Sequence, residues 1–185
     1  MNICSYLHIF EHKLSSMENT LIIKPILNDR CDEIIDLILS IQQKEFNLTI
    51  TINQQPDLLD IETNYHQDGG HFWGAFVGDE LVGTIALINC GHNSGCIRKM
   101  FVKPEYRGRE WGTAQQLLNT LLAFCEQKQI THLYLGTVHQ LKAAHRFYER
   151  NGFTAIEKAE LPTYFPLMLT DNMFFQLHVN QPAAV

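Results

Sequence analysis

The clearest amphipathic stripe in this 185-residue chain lies between two short apolar runs, and that arrangement restricts the fold more than any other feature. Trp111, Ala114, Leu117, Leu118, Leu121, Leu122 and Cys125 recur at helical period and predict a helix over about residues 110–128. Runs at 97–102 and 132–138 flank it, each of strand length. A strand, a crossover helix and a second strand form a parallel pair, since antiparallel neighbours can be joined by a tight turn instead. Lys103-Pro104 closes the first run, because proline has no N–H to give a ladder.

The rest of the chain fits around that unit. Residues 21–26 predict a strand, and Asn28-Asp29 offers an N-cap to a helix carrying Cys31, Ile34, Ile35, Ile38 and Ile41. A second, short helix is expected after Pro56-Asp57, with Leu58, Leu59, Ile61 and Tyr65, stopped by Asp68-Gly69-Gly70. Runs at 72–77 and 81–88 flank Gly78-Asp79-Glu80, which predicts an antiparallel hairpin, and 91–95 reads as a polar loop. A helix over 141–150 ends at Asn151-Gly152, a strand begins at 153–156, and a last strand covers 172–179 after a proline-punctuated loop. The predicted order is β-α-α-β-β-β-α-β-α-β-β, a mixed α/β sheet with a parallel centre and antiparallel flanks. Residues 1–20 lack either period and read as a flexible extension, leaving 21–185 as one domain.

Bulk properties narrow the partners. A formal charge of −6 and a pI near 5.8 give a field that repels polyanions, so nucleic acid is disfavoured. With 45% hydrophobic and 18% charged residues the chain is neither disordered nor fibrous. No run approaches the roughly 18 apolar residues of a membrane span, and the apolar stretch at 3–10 lacks a preceding basic residue, so the expected setting is the cytoplasm. The five cysteines, at 4, 31, 90, 96 and 125, show no paired spacing and are expected as reduced thiols. Cys90, His92 and Cys96 lie together in a turn-forming segment without the usual metal spacing, so no metal is expected.

The segment 102–114 carries the chemistry. It joins strand to helix through Gly108 and Gly112, with Arg107 and Arg109 between strand and second glycine. A helix N-terminus presents unpaired N–H groups and partial positive charge, and no Ser, Thr, Asp or Asn immediately precedes this one to cap them. Glycines let an anion approach the backbone and arginines add charge, so a diphosphate suits the loop; a surface turn with solvated arginines is the plainer reading of the same composition.

The pattern V-x-P-x-Y-R-G-x-x-x-G-T-A (Val102, Pro104, Tyr106, Arg107, Gly108, Gly112, Thr113, Ala114), followed by A-x-x-x-Y-x-x-x-G-F (Ala144, Tyr148, Gly152, Phe153), resembles the GNAT superfamily of N-acetyltransferases. The resemblance spans about residues 21–179 and implies a mostly antiparallel sheet of about seven strands, a splayed parallel pair at its centre and about four flanking helices. It further implies acetyl-coenzyme A as co-substrate, with the backbone of Met100, Phe101 and Val102 beside the pantetheine arm. Arg107, Gly108, Arg109, Trp111, Gly112 and Thr113 would hold the diphosphate. The acceptor would be a primary amine on a small molecule, peptide end or lysine, and the protein a monomer or homodimer. A related reading is an acyl-CoA-binding module without turnover.

The reaction needs a neutral amine, a donor for the oxyanion and a proton for the departing thiolate. Met100 or Phe101 N–H is the expected oxyanion donor and Tyr148 the expected acid, although Leu141, Ala144 and Tyr148 share a helical stripe that core packing would equally explain. Two residues depart from the family: Glu110 replaces the middle glycine of the phosphate loop, and Leu141 stands where asparagine is common. The strand offers Arg98 and Lys99 in place of a carboxylate, leaving Glu62, Asp68, His71 and His139 as alternatives for the base. Asp57, Asp60, Glu62 and Asp68 fall where the family borders its acceptor site, hinting at a cationic amine or forming a solvated acidic face.

Overall fold

Strands that are apolar at nearly every position need cover on both faces. The computed structural model, which describes residues 20–168 and 170–179, supplies it. The strands are β1 (Leu21–Pro25), β2 (His71–Val77), β3 (Glu80–Gly91), β4 (Ser94–Val102), β5 (His132–Thr137), β6 (Thr154–Ile156) and β7 (Met173–His178). The helices are α1 (Cys31–Ser40), α2 (Thr113–Gln127) and α3 (Lys142–Arg150). One seven-stranded sheet runs in the order β1-β2-β3-β4-β5-β7-β6, antiparallel throughout except for β4 beside β5. The expected extension at 1–20 lies almost wholly outside the described residues.

Successive residues of a strand point to opposite faces, and β2 shows what this does. Phe72 and Phe76 join Ile34, Leu37 and Ile38 of α1 in one core. Trp73 and Ala75 join Leu117, Leu118 and Leu121 of α2 in the other. Each leucine buried in this way contributes roughly 1.5–3 kcal/mol relative to exposure. Tyr148 of α3 belongs to the second core, with Phe153 and Phe175, so α2 and α3 cover the same face.

Local differences from the sequence reading have local causes. The segment after Pro56 is a 3-10 turn (Pro56–Leu59) and then a π-helical turn (Glu62–His66), which buries Leu58, Ile61 and Tyr65 and leaves Leu59 exposed. The expected loop at 91–95 is a two-residue hairpin turn in which His92 and Asn93 both take positive φ, so β4 starts at Ser94. The helix expected from Glu110 starts at Thr113, because Gly112 takes φ +60 and ends the preceding turn there; Trp111 therefore lies before the helix and packs edge-on against Tyr106.

The site is set by where β4 and β5 stop pairing. Their parallel register runs from Ser94 opposite His132 to Ile97 opposite Leu135 and ends. Beyond it β5 stays paired with β7 through Thr137 and β4 with β3 through Val102, so the two strands diverge. A bulge at Lys99 and Met100, which together face Ile85, bends β4 at this point. Lys99 holds φ +52 there, and the Thr84 hydroxyl donates to its carbonyl at 2.6 Å.

Candidate active site

On one side of the divergence lies a cradle made of backbone. Lys103 N–H donates to Val82 carbonyl, which fixes the alternation along β4. Phe101 therefore bonds toward β3, while the N–H of Val102 turns toward the gap. Met100 and Phe101, the two expected oxyanion donors, both border the cavity that lies there. Among the described residues, the N–H groups of Gly108, Arg109, Glu110, Trp111, Thr113, Ala114 and Gln115 find no acceptor in the chain. Gly108 holds φ +94 and a Cβ there would meet nothing within 4 Å, so its approach side is open. The donor set and the open backbone fit a diphosphate.

The side chains of the loop divide the labour differently from the sequence reading. Arg107 is tied down: Nε donates to Val102 carbonyl at 2.8 Å, and its two terminal nitrogens grip the Glu45 carboxylate at 2.6 and 2.7 Å. Glu45 closes the π-helical turn Ile41–Glu45 that continues α1, so this ion pair fastens α1 to the end of β4. Thr113 is 1% exposed and its hydroxyl donates to Tyr106 carbonyl at 2.8 Å, which leaves its N–H as the group a ligand could use. Arg109 is exposed and, among the described residues, unpaired. Glu110 is exposed too and bonds neither the arginines nor the bare amides. Arg150, at the end of α3, was not singled out from sequence, yet it borders the same cavity two residues beyond Tyr148 and is unpaired among the described residues.

That cavity, of about 270 Å³, runs from Arg107 and Gly108 past Met100 and Ala144 to Tyr148. Tyr148 is 6% exposed, packs near Phe153 and Phe175, and points its hydroxyl at Met100 Sδ, 3.5 Å away. It thus packs in the core and also borders the cavity. Burial raises its pKa well above the ordinary phenol value, so it is a proton donor at neutral pH. A thioether is a weak acceptor, which leaves that proton available to a better one.

A second cavity, of about 130 Å³, opens on the other side and shares Phe46, Phe101 and Leu141 with the first. Arg98, Lys99, Gln55, Thr137 and Asp171 border it. Lys99 is buried, and its Nζ donates to Gln55 at 2.8 Å and pairs with Asp57 at 3.1 Å. Asp57 also accepts from Tyr65 hydroxyl. Burial lowers the Lys99 pKa and Asp57 opposes that shift. Asp171, in the loop before β7, lies against Gly136, where any Cβ would collide with its carboxylate. Burial raises its pKa and the Arg98 charge partly opposes this.

None of the bases proposed from sequence borders this cavity. Asp68 and His139 are exposed, and His71 lies against His66, Trp73 and Phe124, its pKa lowered to about 4 by burial and by His66. Asp60 is used locally, accepting from Thr63 N–H and from Asn28 at 3.0 Å each. None of the four acids read from sequence borders this cavity, and Asp57 is paired with Lys99. Among the described residues no group of three or more His, Cys, Asp or Glu could hold a metal ion, and no helix is long and apolar enough to cross a membrane.

Comparison with known proteins identifies the family. A model of the acetyltransferase (GNAT) family matches residues 35–153, and the chain belongs to that family. It is similar to a GNAT-family acetyltransferase of Staphylococcus aureus Mu50, with 37% identity and a TM-score of 0.84 over 87% of this chain and all of that one. The PaiA N-acetyltransferase of Thermoplasma acidophilum, solved with coenzyme A, shares the fold at 17% identity and a TM-score of 0.65, covering 86% of this chain and 99% of that one. A curated relative, the probable N-acetyltransferase camello of Xenopus tropicalis, is 29% identical over 110 residues; the match covers 58% of this chain and about half of that protein, 49%.

Proposed function

We propose that this protein moves an acetyl group from acetyl-coenzyme A directly to a primary amine. The observation that carries the reading is the wall of Phe46, Phe101 and Leu141, which a cavity at the bare amide loop has in common with a second cavity bordered by Arg98, Lys99 and Asp171. Two reactants entering from opposite sides would meet there. Acetyl-coenzyme A, when bound, supplies an acyl group already activated as a thioester. The loop amides at 108–111, with Arg109 and Arg150, hold its phosphates.

The chain's own groups cover the three requirements of the transfer. Met100 N–H stabilises negative charge growing on the acyl oxygen. Asp171 takes the proton lost by the amine as the new N–C bond forms, and its raised pKa makes it a stronger base than an exposed carboxylate. Tyr148 gives a proton to the sulfur as the C–S bond breaks. We place the activity in the cytoplasm, in keeping with free thiols at Cys31, Cys90, Cys96 and Cys125.

The test is release of free thiol from acetyl-coenzyme A in the presence of a panel of amines. Turnover with at least one amine is expected, with kcat falling on the order of 10²-fold in Tyr148→Phe and little change in coenzyme A affinity. Tight binding of acetyl-coenzyme A without turnover on any amine would replace this reading with a binding module, and an unaltered kcat in the variant would remove Tyr148 from the role of acid.

A further inference from the structure

The acceptor-side cavity contains a positive charge for which the transfer chemistry has no use. Arg98 sits on β4 one residue past the last parallel pair, largely buried. Its guanidinium donates to Met168 Sδ at 2.7 Å and to Pro166 carbonyl. Neither partner carries charge, and among the described residues no carboxylate lies within ion-pair distance of it. Guanidinium has five N–H donors in a planar fork and stays protonated at any working pH, and here its charge meets Asp57 and Asp171 only through space, with no carboxylate in direct contact among the described residues. Burying such a group without an anion is costly.

The neighbouring charges limit what can compensate it. Lys99 is already paired with Asp57 and held by Gln55, so it needs no further anion and attracts one only weakly. Asp171 borders the same cavity, its carboxylate accepts from the backbone of Met168 and has no ion-pair partner among the described residues, and it is close enough for the Arg98 charge to oppose its pKa shift. The small cavity therefore offers one unpaired cation and one unpaired carboxylate as separate stations.

We propose that the acceptor is a small amino acid, whose carboxylate is bound by the Arg98 guanidinium while its amine lies toward Asp171. This rests on the acetyl-transfer reading and names its substrate class. A planar carboxylate matches the fork of the guanidinium in shape, and the molecule's two charges complement the two stations. A diamine or polyamine lacking a carboxylate would place a second cation against Arg98.

The experiment compares the standard amino acids with their α-carboxamides, which keep the amine and remove the negative charge, in wild type, Arg98→Gln and Arg98→Lys. In wild type, kcat/KM for the best amino acid should exceed that for its carboxamide by about 10- to 100-fold, the range for charge-assisted hydrogen bonds. Arg98→Gln should abolish most of that preference by lowering the rate with the amino acid at least about 10-fold more than the rate with its carboxamide, and Arg98→Lys should restore part of it. Equal use of acid and carboxamide by wild type, or equal loss on both in Arg98→Gln, would overturn the proposal while leaving acetyl transfer intact. Calorimetric titration of the same compounds into the coenzyme A complex decides the matter without turnover. A carboxylate preference lost in Arg98→Gln supports carboxylate binding by Arg98 apart from the transfer step, and absence of binding by any amino acid overturns the proposal.

Discussion

The two sides of the β4–β5 gap are built from different materials. The proposed coenzyme side is made of main chain: seven amides that find no acceptor among the described residues, two glycines with positive φ, and an arginine that ties the loop to α1. The acceptor side is made of side chains from three distant segments, Gln55 before the 3-10 turn, Arg98 and Lys99 on β4, and Asp171 before β7. A site made of backbone should resist truncation of side chains and fail when the backbone is forced elsewhere. A site made of side chains should fail one residue at a time.

The largest effect is expected from Asp171→Asn, which removes the proposed proton acceptor and keeps its shape. We expect kcat to fall on the order of 10²-fold with coenzyme A affinity unchanged. The pH profile adds a signature. A base must be unprotonated to act, so wild-type kcat should rise with pH through a pKa displaced upward from the ordinary carboxylate value, burial being the cause. That lower limb should disappear in Asp171→Asn, and a profile identical to wild type would assign the proton to another group.

On the coenzyme side the corresponding break is Gly108→Val. At φ +94 a β-branched residue is strained, although its Cβ would meet no protein atom within 4 Å. We expect coenzyme A affinity to fall by roughly 10-fold or more as the loop amides lose their alignment, against a stability loss of about 1–3 kcal/mol. Calorimetry and thermal unfolding together check the split. By contrast, Glu45→Gln releases the Arg107 guanidinium, and unchanged or slightly tighter binding is expected with a lower Tm, because both terminal nitrogens of Arg107 are engaged by Glu45.

The same contrast explains what could be read from the sequence. The backbone cradle was legible because glycine, proline and helix start follow one another along the chain, and their meaning is local. The parallel pair followed for the same reason, from a strand, a long stripe and another strand. The acceptor side was not legible. Asp171 and Gln55 are separated from Arg98 by tens of residues, and nothing in the periodicity of their own segments marks them. Arg107 illustrates a related limit: its motif announced a phosphate ligand, but the motif does not contain Glu45, whose position depends on α1 continuing into a π-helical turn. The helix expected at 110 failed locally, since a glycine with φ +60 cannot be told in sequence from one inside a first turn.

The smallest predicted effect returns to the residue that departs from the family. Glu110 lies in the turn before α2, where a carboxylate favours the helix through its dipole and opposes an incoming diphosphate. It is exposed and accepts none of the loop's amides, so it neither blocks the cradle from within nor holds it in shape. The remaining influence is a screened charge a short distance from the ligand, and screening over roughly 10 Å at 0.1 M salt keeps such a term small. Glu110→Gly should therefore tighten coenzyme A by less than about threefold at low salt, and the gain should fade as salt is raised. A weakened complex would mean that the carboxylate organises the turn, and the coenzyme side would then depend on a side chain after all.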